Sequence, residues 1–130
     1  MDFAPLGEQE MEVLRYIAEH APVTAGQVAE GFGEQRGLAR TTVLTVMERL
    51  RRKGYLTRQR RKGVFQYSPQ MAVPEVLQGL LHRFVQTSLG GSLAPVVAYL
   101  TRAQRLTPEE LQELRLMVES MKAEGEGADE

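Results

Sequence analysis

The chain has 130 residues, 42% hydrophobic and 25% charged, with a formal net charge of −1. This length holds one ordinary domain, or a small domain with an oligomerisation appendage. Cysteine is absent, which excludes disulfides, thiolate metal sites and thiol redox sensing. No apolar run can span a bilayer and no signal-peptide pattern opens the chain, so a cytoplasmic protein without a membrane partner is expected.

The small net charge hides a segregation. Residues 36–62 carry ten Lys or Arg and one acid, Glu48, whereas residues 107–130 carry eight carboxylates against Arg115 and Lys122. A strongly cationic stretch followed by an anionic one predicts a polyanion-binding module joined to an acidic part with a different task.

In chain order, residues 1–6 read as a short lead-in. Residues 7–20 form a first helix, with Met11, Leu14, Ile17 and Ala18 on the buried side and Glu8 and Glu10 in the first turn, where the helix dipole favours acids. Pro22 ends it, and Val23 can serve as a very short extended piece. Thr24 and Gln27 make a capping-box start for a second helix over residues 25–32, which Gly31 and Gly33 close before a polar loop at 34–38.

The stretch ARTTVLTVMERLRRK, residues 39–53, is the third helix. Its apolar Val43, Val46, Met47 and Leu50 recur at helical spacing and form one stripe, while Thr41, Thr45, Glu48, Arg49 and Arg52 point the other way. Short hydroxyls followed by a longer arginine can enter a major groove, touch base edges and grip phosphate. Third place, after a helix and a turn-connected second helix, is where a DNA-recognition helix stands.

Gly54 is a C-cap candidate just past the basic last turn. Residues 55–60 and 64–68 read as strands around the turn Arg61-Lys62-Gly63, with Phe65 and Tyr67 on the face that folds back on the helices. A hairpin with a basic tip directly after a recognition helix is the wing of a winged helix. Residues 68–74, with two prolines, read as a linker. A helix over 75–88 carries Val76, Leu77, Leu80, Leu81, Phe84 and Val85, and Gly90-Gly91 breaks it. Ser92 caps a short helix bearing Leu93, Val96, Val97 and Leu100. Thr107-Pro108-Glu109-Glu110 is a strong start for the last helix, whose stripe is Leu111, Leu114, Val118 and Met121. These three helices, about 50 residues, are too few to bury their apolar surface in a core of their own. A second copy in a C2 dimer is the simplest partner.

The expected architecture is therefore mainly α with a small β wing: a winged helix-turn-helix DNA-binding domain at 1–72, a helical dimerisation domain at 73–123 and an acidic disordered tail at 124–130. Candidate contacts to double-stranded DNA are Arg40, Thr41, Thr42, Thr45, Arg49, Arg52, Arg60, Arg61, Lys62 and Gly63. Candidate homodimer contacts are Leu77, Leu80, Leu81, Phe84, Leu93, Val96, Val97, Leu100, Leu111, Leu114 and Val118. An enzyme is not expected, because the only aspartates are Asp2 and Asp129 and the histidines His20 and His82 lie on separate helices. No spacing supports a metal site, and no cofactor is expected. Two other readings stay open: a winged helix that binds only protein, against which the ten cations argue, and a ligand-sensing regulator whose C-terminal helices enclose a small molecule.

The chain resembles the penicillinase-repressor (BlaI/MecI) family of winged-helix transcriptional repressors over nearly its whole length. The resemblance rests on LGEQEMEVLRYI, TTVLTVMERLRRKGYL, VFQYSP and LTPEELQELRLMVE, in that order. It implies a homodimer that binds an inverted-repeat operator, with Thr42, Thr45 and Arg49 at the family's polar recognition-helix positions and residues 61–63 at its wing tip. Thr41 and Leu44 stand where some members carry longer basic side chains. The resemblance also brings in a protease or a small-molecule inducer as a partner. The β-lactam-responsive members are cut between an asparagine and an aromatic residue, and here alanine precedes the aromatic, in Val97-Ala98-Tyr99. The cysteine motifs of copper-responsive relatives are missing.

Overall fold

A computed structural model describes residues 1–103 and 106–128, with the backbone alone at 103 and 121–128. Helix α1, Glu8–His20, buries Glu10, Val13, Leu14 and Ile17, which follow one another at helical spacing. Ala18, expected on that face, is exposed, and Val13 is buried in its stead. The buried stripe starts from Glu10, whose carboxylate accepts the Gly7 N–H at 2.9 Å and so satisfies a donor at the helix start.

Thr24 caps α2, Ala25–Val28, through the reciprocal pair that its sequence predicts: Gln27 N–H to Thr24 Oγ1 at 3.1 Å and Thr24 N–H to Gln27 Oε1 at 2.9 Å. The helix does not close at Gly31 and Gly33. It widens through a π turn at Ala29–Gly33, tightens into a 3₁₀ turn at Glu34–Arg36, and stops at Gly37, where φ is 65°. The two earlier glycines serve close packing instead. A Cβ at Gly31 would collide with the Tyr16 hydroxyl, and one at Gly33 would lie 3.0 Å from a Val43 methyl.

Helix α3, Arg40–Arg52, drives Val43, Val46, Met47 and Leu50 into the core. There they join Val13, Leu14 and Ile17 of α1, Val28 and Phe32. Each such side chain contributes about 1.5–3 kcal/mol of burial, so the stripe fixes which face α3 leaves to solvent. Gly54, at φ 90°, turns the chain out of the helix, and Tyr55 and Leu56 then add to the same core.

Strands β1, Leu56–Arg61, and β2, Val64–Pro69, pair antiparallel from Leu56↔Pro69 to Arg61↔Val64. The turn is shorter than the sequence suggests. Only Lys62 and Gly63, at φ 53° and 78°, lie outside the strands, the geometry whose twist suits a two-residue hairpin. Val23 adds the short extended piece expected of it, exchanging backbone hydrogen bonds of 3.0 and 2.7 Å with Tyr67.

The stretch read as a linker is ordered structure: residues 68 and 69 finish β2, and α4, Val73–Thr87, begins two residues before its expected start. Pro74 falls in the first turn, where its missing N–H costs nothing. Helix α4, expected to open a dimerisation domain at residue 73, packs with the winged helix in one compact unit spanning Met1–Ser88. Val76 is fully buried in the core and Leu80 packs against it. The lead-in explains the attachment. Phe3 lies flat against Gly79, Arg83 Nη1 donates to the Phe3 carbonyl at 2.9 Å, and the buried Tyr55 hydroxyl donates to the Ala4 carbonyl. Replacing Gly79 with leucine is expected to expel the Phe3 ring and destabilise the unit by about 1–3 kcal/mol, the usual range for overpacking. Urea unfolding, with amide exchange quickened first in α4, would register it.

The second unit, Leu89–Glu130, holds α5, Ala94–Ala103, and α6, Pro108–Ala128. Ser92 Oγ accepts the Ala94 N–H at 3.2 Å. Thr107 and Glu110 form the expected capping box with two 3.1 Å bonds. Helix α6 continues to Ala128, past the point where a disordered tail was expected. Glycines 125 and 127 cost a helix only about 1 kcal/mol each, and alanines and glutamates surround them. Residues 129–130 and the Met121 side chain lie outside the described residues. No helix among the described residues is long and apolar enough to cross a membrane.

Candidate nucleic-acid interface

With its apolar stripe committed to the core, α3 exposes Arg40, Thr41, Thr42, Thr45, Arg49 and Arg52. Thr41, Thr45 and Arg52 lie along one line of the helix surface, spaced by one, then two, turns. Thr45 Oγ1 donates to the Thr41 carbonyl at 2.9 Å, which sets its hydroxyl's lone pairs outward. Arg40, in the first turn, lies over Gly26, where an added Cβ would come within 3.0 Å of its guanidinium. The exposed tips of Arg60, Arg61 and Lys62 extend the positive surface along the wing. Arg61 Nη2 donates to Gln59 Oε1 at 3.2 Å, and the Arg60 guanidinium lies 4.9 Å from the Phe65 ring. Among the described residues, Arg40, Arg49, Arg52, Arg60, Arg61 and Lys62 have no carboxylate within ion-pair distance.

The cations that do have such partners among the described residues are held by three acids: Glu12 takes Arg36 Nε at 2.9 Å, and Glu48 and Glu10 take the rest. Glu48 accepts hydrogen bonds from Arg51 Nε and Nη2 at 3.0 Å and from the Tyr67 hydroxyl at 2.8 Å, and pairs ionically with Arg58, whose Nη1 lies 3.0 Å from Oε1. Its carboxyl is held down to about 2, chiefly by the Arg51 hydrogen bond, against which burial pushes upward, with Tyr67 and the charges of Arg51 and Arg58 adding to the depression. Glu10, buried at the start of α1, takes Lys53 Nζ at 2.8 Å and so ties the end of α3 to the first helix. Burial raises the Glu10 pKa, but the Lys53 and Gly7 hydrogen bonds and the fields of Lys53 and Arg49 outweigh it, leaving the carboxyl below its ordinary value.

From the sequence, Glu48 shows only as part of the outward face and Glu10 only as an acid suited to the helix dipole, and nothing in the periodicity marks Arg51, Lys53 and Arg58 as cations held by carboxylates. A signal was present: Glu48 is the lone acid among ten cations and stands three residues before Arg51, a spacing that brings side chains together on a helix.

The Glu48 cluster makes stability depend on pH. Its carboxyl titrates near 4.5 in the unfolded chain and about 2 when folded, so the stabilisation is complete above pH 4.5 and fades as pH falls toward 2. Wild type is expected to exceed Glu48→Gln by about 2 kcal/mol at pH 7, a gap that narrows by pH 3. Urea midpoints at the two pH values would show it; an unchanged gap would contradict the assignment.

The residues proposed for dimerisation divide by exposure. Leu77, Leu81 and Phe84 of α4 are exposed, and Leu80 is half-buried against the core of the first unit. In the second unit Leu93, Val97, Leu111, Leu114 and Val118 are exposed, and Val96 and Leu100 half-buried.

Three helices with the third bearing an exposed cationic face, followed directly by a hairpin, define a winged helix-turn-helix protein. The chain belongs to the penicillinase repressor family, whose model matches residues 6–120. It is 25% identical to the penicillinase repressor of Bacillus licheniformis over 117 residues, covering 90% of this chain and 91% of that one. It is 34% identical to the transcriptional regulator BlaI of Mycobacterium tuberculosis over 77 residues, 58% of this chain and 56% of the relative. Among solved structures, the solution structure of the Bacillus licheniformis BlaI monomeric form in complex with the blaP half-operator aligns with a TM-score of 0.50 at 23% identity. That match covers 56% of this chain and 89% of the other, and speaks for the winged-helix fold.

Proposed function

We propose that this DNA-binding transcriptional repressor works as a cytoplasmic homodimer on an inverted-repeat operator, each copy laying α3 in a major groove and its wing along the flanking backbone. The observation that carries the reading is the cationic surface shared by α3 and the wing, on which six exposed Lys and Arg side chains have no carboxylate partner among the described residues. Thr41, Thr42, Thr45 and Arg49 sit where base edges would lie. Arg40, Arg52, Arg60, Arg61 and Lys62, with the Gly63 backbone, suit phosphate. The half-sites are expected about one helical turn, or a multiple, apart.

The exposed apolar faces of α4, α5 and α6 support dimerisation, because surfaces of this kind left to water favour association. For the inducing signal, α5 offers Ala98 and Tyr99 at its exposed surface, but alanine in place of asparagine speaks against the cleavage specificity of the β-lactam-responsive members.

Gel-shift titration on duplexes selected from a random pool, repeated from low to high salt, tests the reading. Affinity should fall steeply with salt, since each neutralised phosphate adds about 0.9 to the slope of log affinity against log salt. Arg61→Ala should remove about one such step and weaken selected and scrambled duplexes alike. Salt-independent binding would refute the proposal.

A further inference from the structure

We infer that Glu48 is a specificity-determining positioning residue: it locks the wing to the recognition helix and withdraws Arg51 and Arg58 from the charge available to DNA phosphates. The inference deepens the DNA-binding reading and rests on it.

The geometry is that of a hub. Oε1 accepts from Arg51 Nη2 at 3.0 Å and lies 3.0 Å from the ion-paired Arg58 Nη1; Oε2 accepts from Arg51 Nε at 3.0 Å and from Tyr67 OH at 2.8 Å. Three hydrogen-bond donors and one ion-paired guanidinium engage both carboxylate oxygens. They come from α3, β1 and β2, so one side chain on the recognition helix grips both strands of the wing. Arg58 is further held by the Phe65 ring, 4.0 Å from its guanidinium carbon. A phosphate could recruit Arg51 only by displacing a bidentate, charge-assisted pair, and such pairs are among the stronger polar contacts in proteins.

Two consequences follow for recognition. Arg58 lies three residues before Arg61 on the same strand, so the Glu48 contact fixes where the wing tip meets DNA relative to Thr45 and Arg49, one turn or less from Glu48 on α3. The carboxylate also lowers the positive charge at the centre of the face. That weakens attachment to arbitrary DNA while leaving the base-reading positions intact, so specificity is gained by suppressing the wrong complex.

The variants are Glu48→Gln, which keeps shape and loses charge, and Arg58→Gln. The full-length chain is titrated against a duplex selected from a random pool by the wild type, and against a scrambled duplex of equal length, at several salt concentrations. For Glu48→Gln the released guanidiniums should steepen the salt slope by about 1–2, and should raise affinity for the scrambled duplex while the selected-to-scrambled ratio falls on the order of tenfold. For Arg58→Gln the slope should stay at the wild-type value while the ratio falls. A purely structural Glu48 would weaken both duplexes together at constant slope, and that outcome overturns the inference. So does a loss of about 0.9 in slope for Arg58→Gln, which would mean that Arg58 already grips phosphate. If circular dichroism shows Glu48→Gln unfolded, the Arg58→Gln slope and ratio decide. Wild type binding neither duplex would instead defeat the DNA reading itself.

Discussion

Arg49→Ala is expected to abolish useful operator binding while leaving the fold intact. Arg49 is exposed on α3, one turn beyond Thr45, and has no carboxylate at ion-pair distance among the described residues. Its charge helps hold the Glu10 carboxyl below its ordinary value. A guanidinium so placed can reach a guanine edge with two donors, and losing such a contact costs about 2 kcal/mol per half-site. A dimer loses it twice, so affinity for a symmetric operator should drop on the order of 10³-fold. Scrambled duplexes should lose far less. Equal losses on both would reassign Arg49 to phosphate contact.

The second large effect is expected from breaking the proposed dimer. Leu81 and Leu114 are exposed, at 56% and 38%, so an aspartate at either should leave its own unit folded. In a buried interface the same charge has no partner and is strongly disfavoured. Leu81→Asp and Leu114→Asp should therefore give monomers by light scattering, with operator affinity reduced about 10²- to 10⁴-fold as the linkage of two half-sites is lost. Leu80 would be a poorer probe. It packs on the core that carries α3, so a charge there would damage the reading head itself. Unchanged mass for both variants would contradict the dimer.

The sequence makes some of this architecture plain and conceals other parts for physical reasons. The stripe Val43, Val46, Met47, Leu50 specifies both the helix and its orientation, because helical periodicity is a local property. The capping boxes at Thr24 and Thr107 are equally local, needing only residues three apart. What the sequence hides is contact between distant segments. Phe3 against Gly79, Lys53 on Glu10 and Arg58 on Glu48 join elements separated by a helix, a turn or most of the first unit. No periodicity reports them. The prolines at 69 and 74 suggest a linker, yet one closes a strand and the other opens a helix, since proline is compatible with both positions. Gly31 and Gly33 suggest a helix end because glycine is a common terminator. Here they make room for Tyr16 and Val43. The candidate DNA residues on α3 are legible from their place opposite the stripe, but the division of the cations into held and available ones is not, because Glu48, Glu10 and Glu12 reach Arg58, Lys53 and Arg36 on other segments.

The central claim is that two copies of α3, held by the C-terminal helices, read one symmetric site. Sequencing the duplexes that the full-length chain selects from a random pool at physiological salt tests it most directly. An enriched inverted repeat, with half-site centres about one helical turn or a multiple apart, is the predicted result. Recovery of no motif, or of a single unrepeated half-site, would contradict the account.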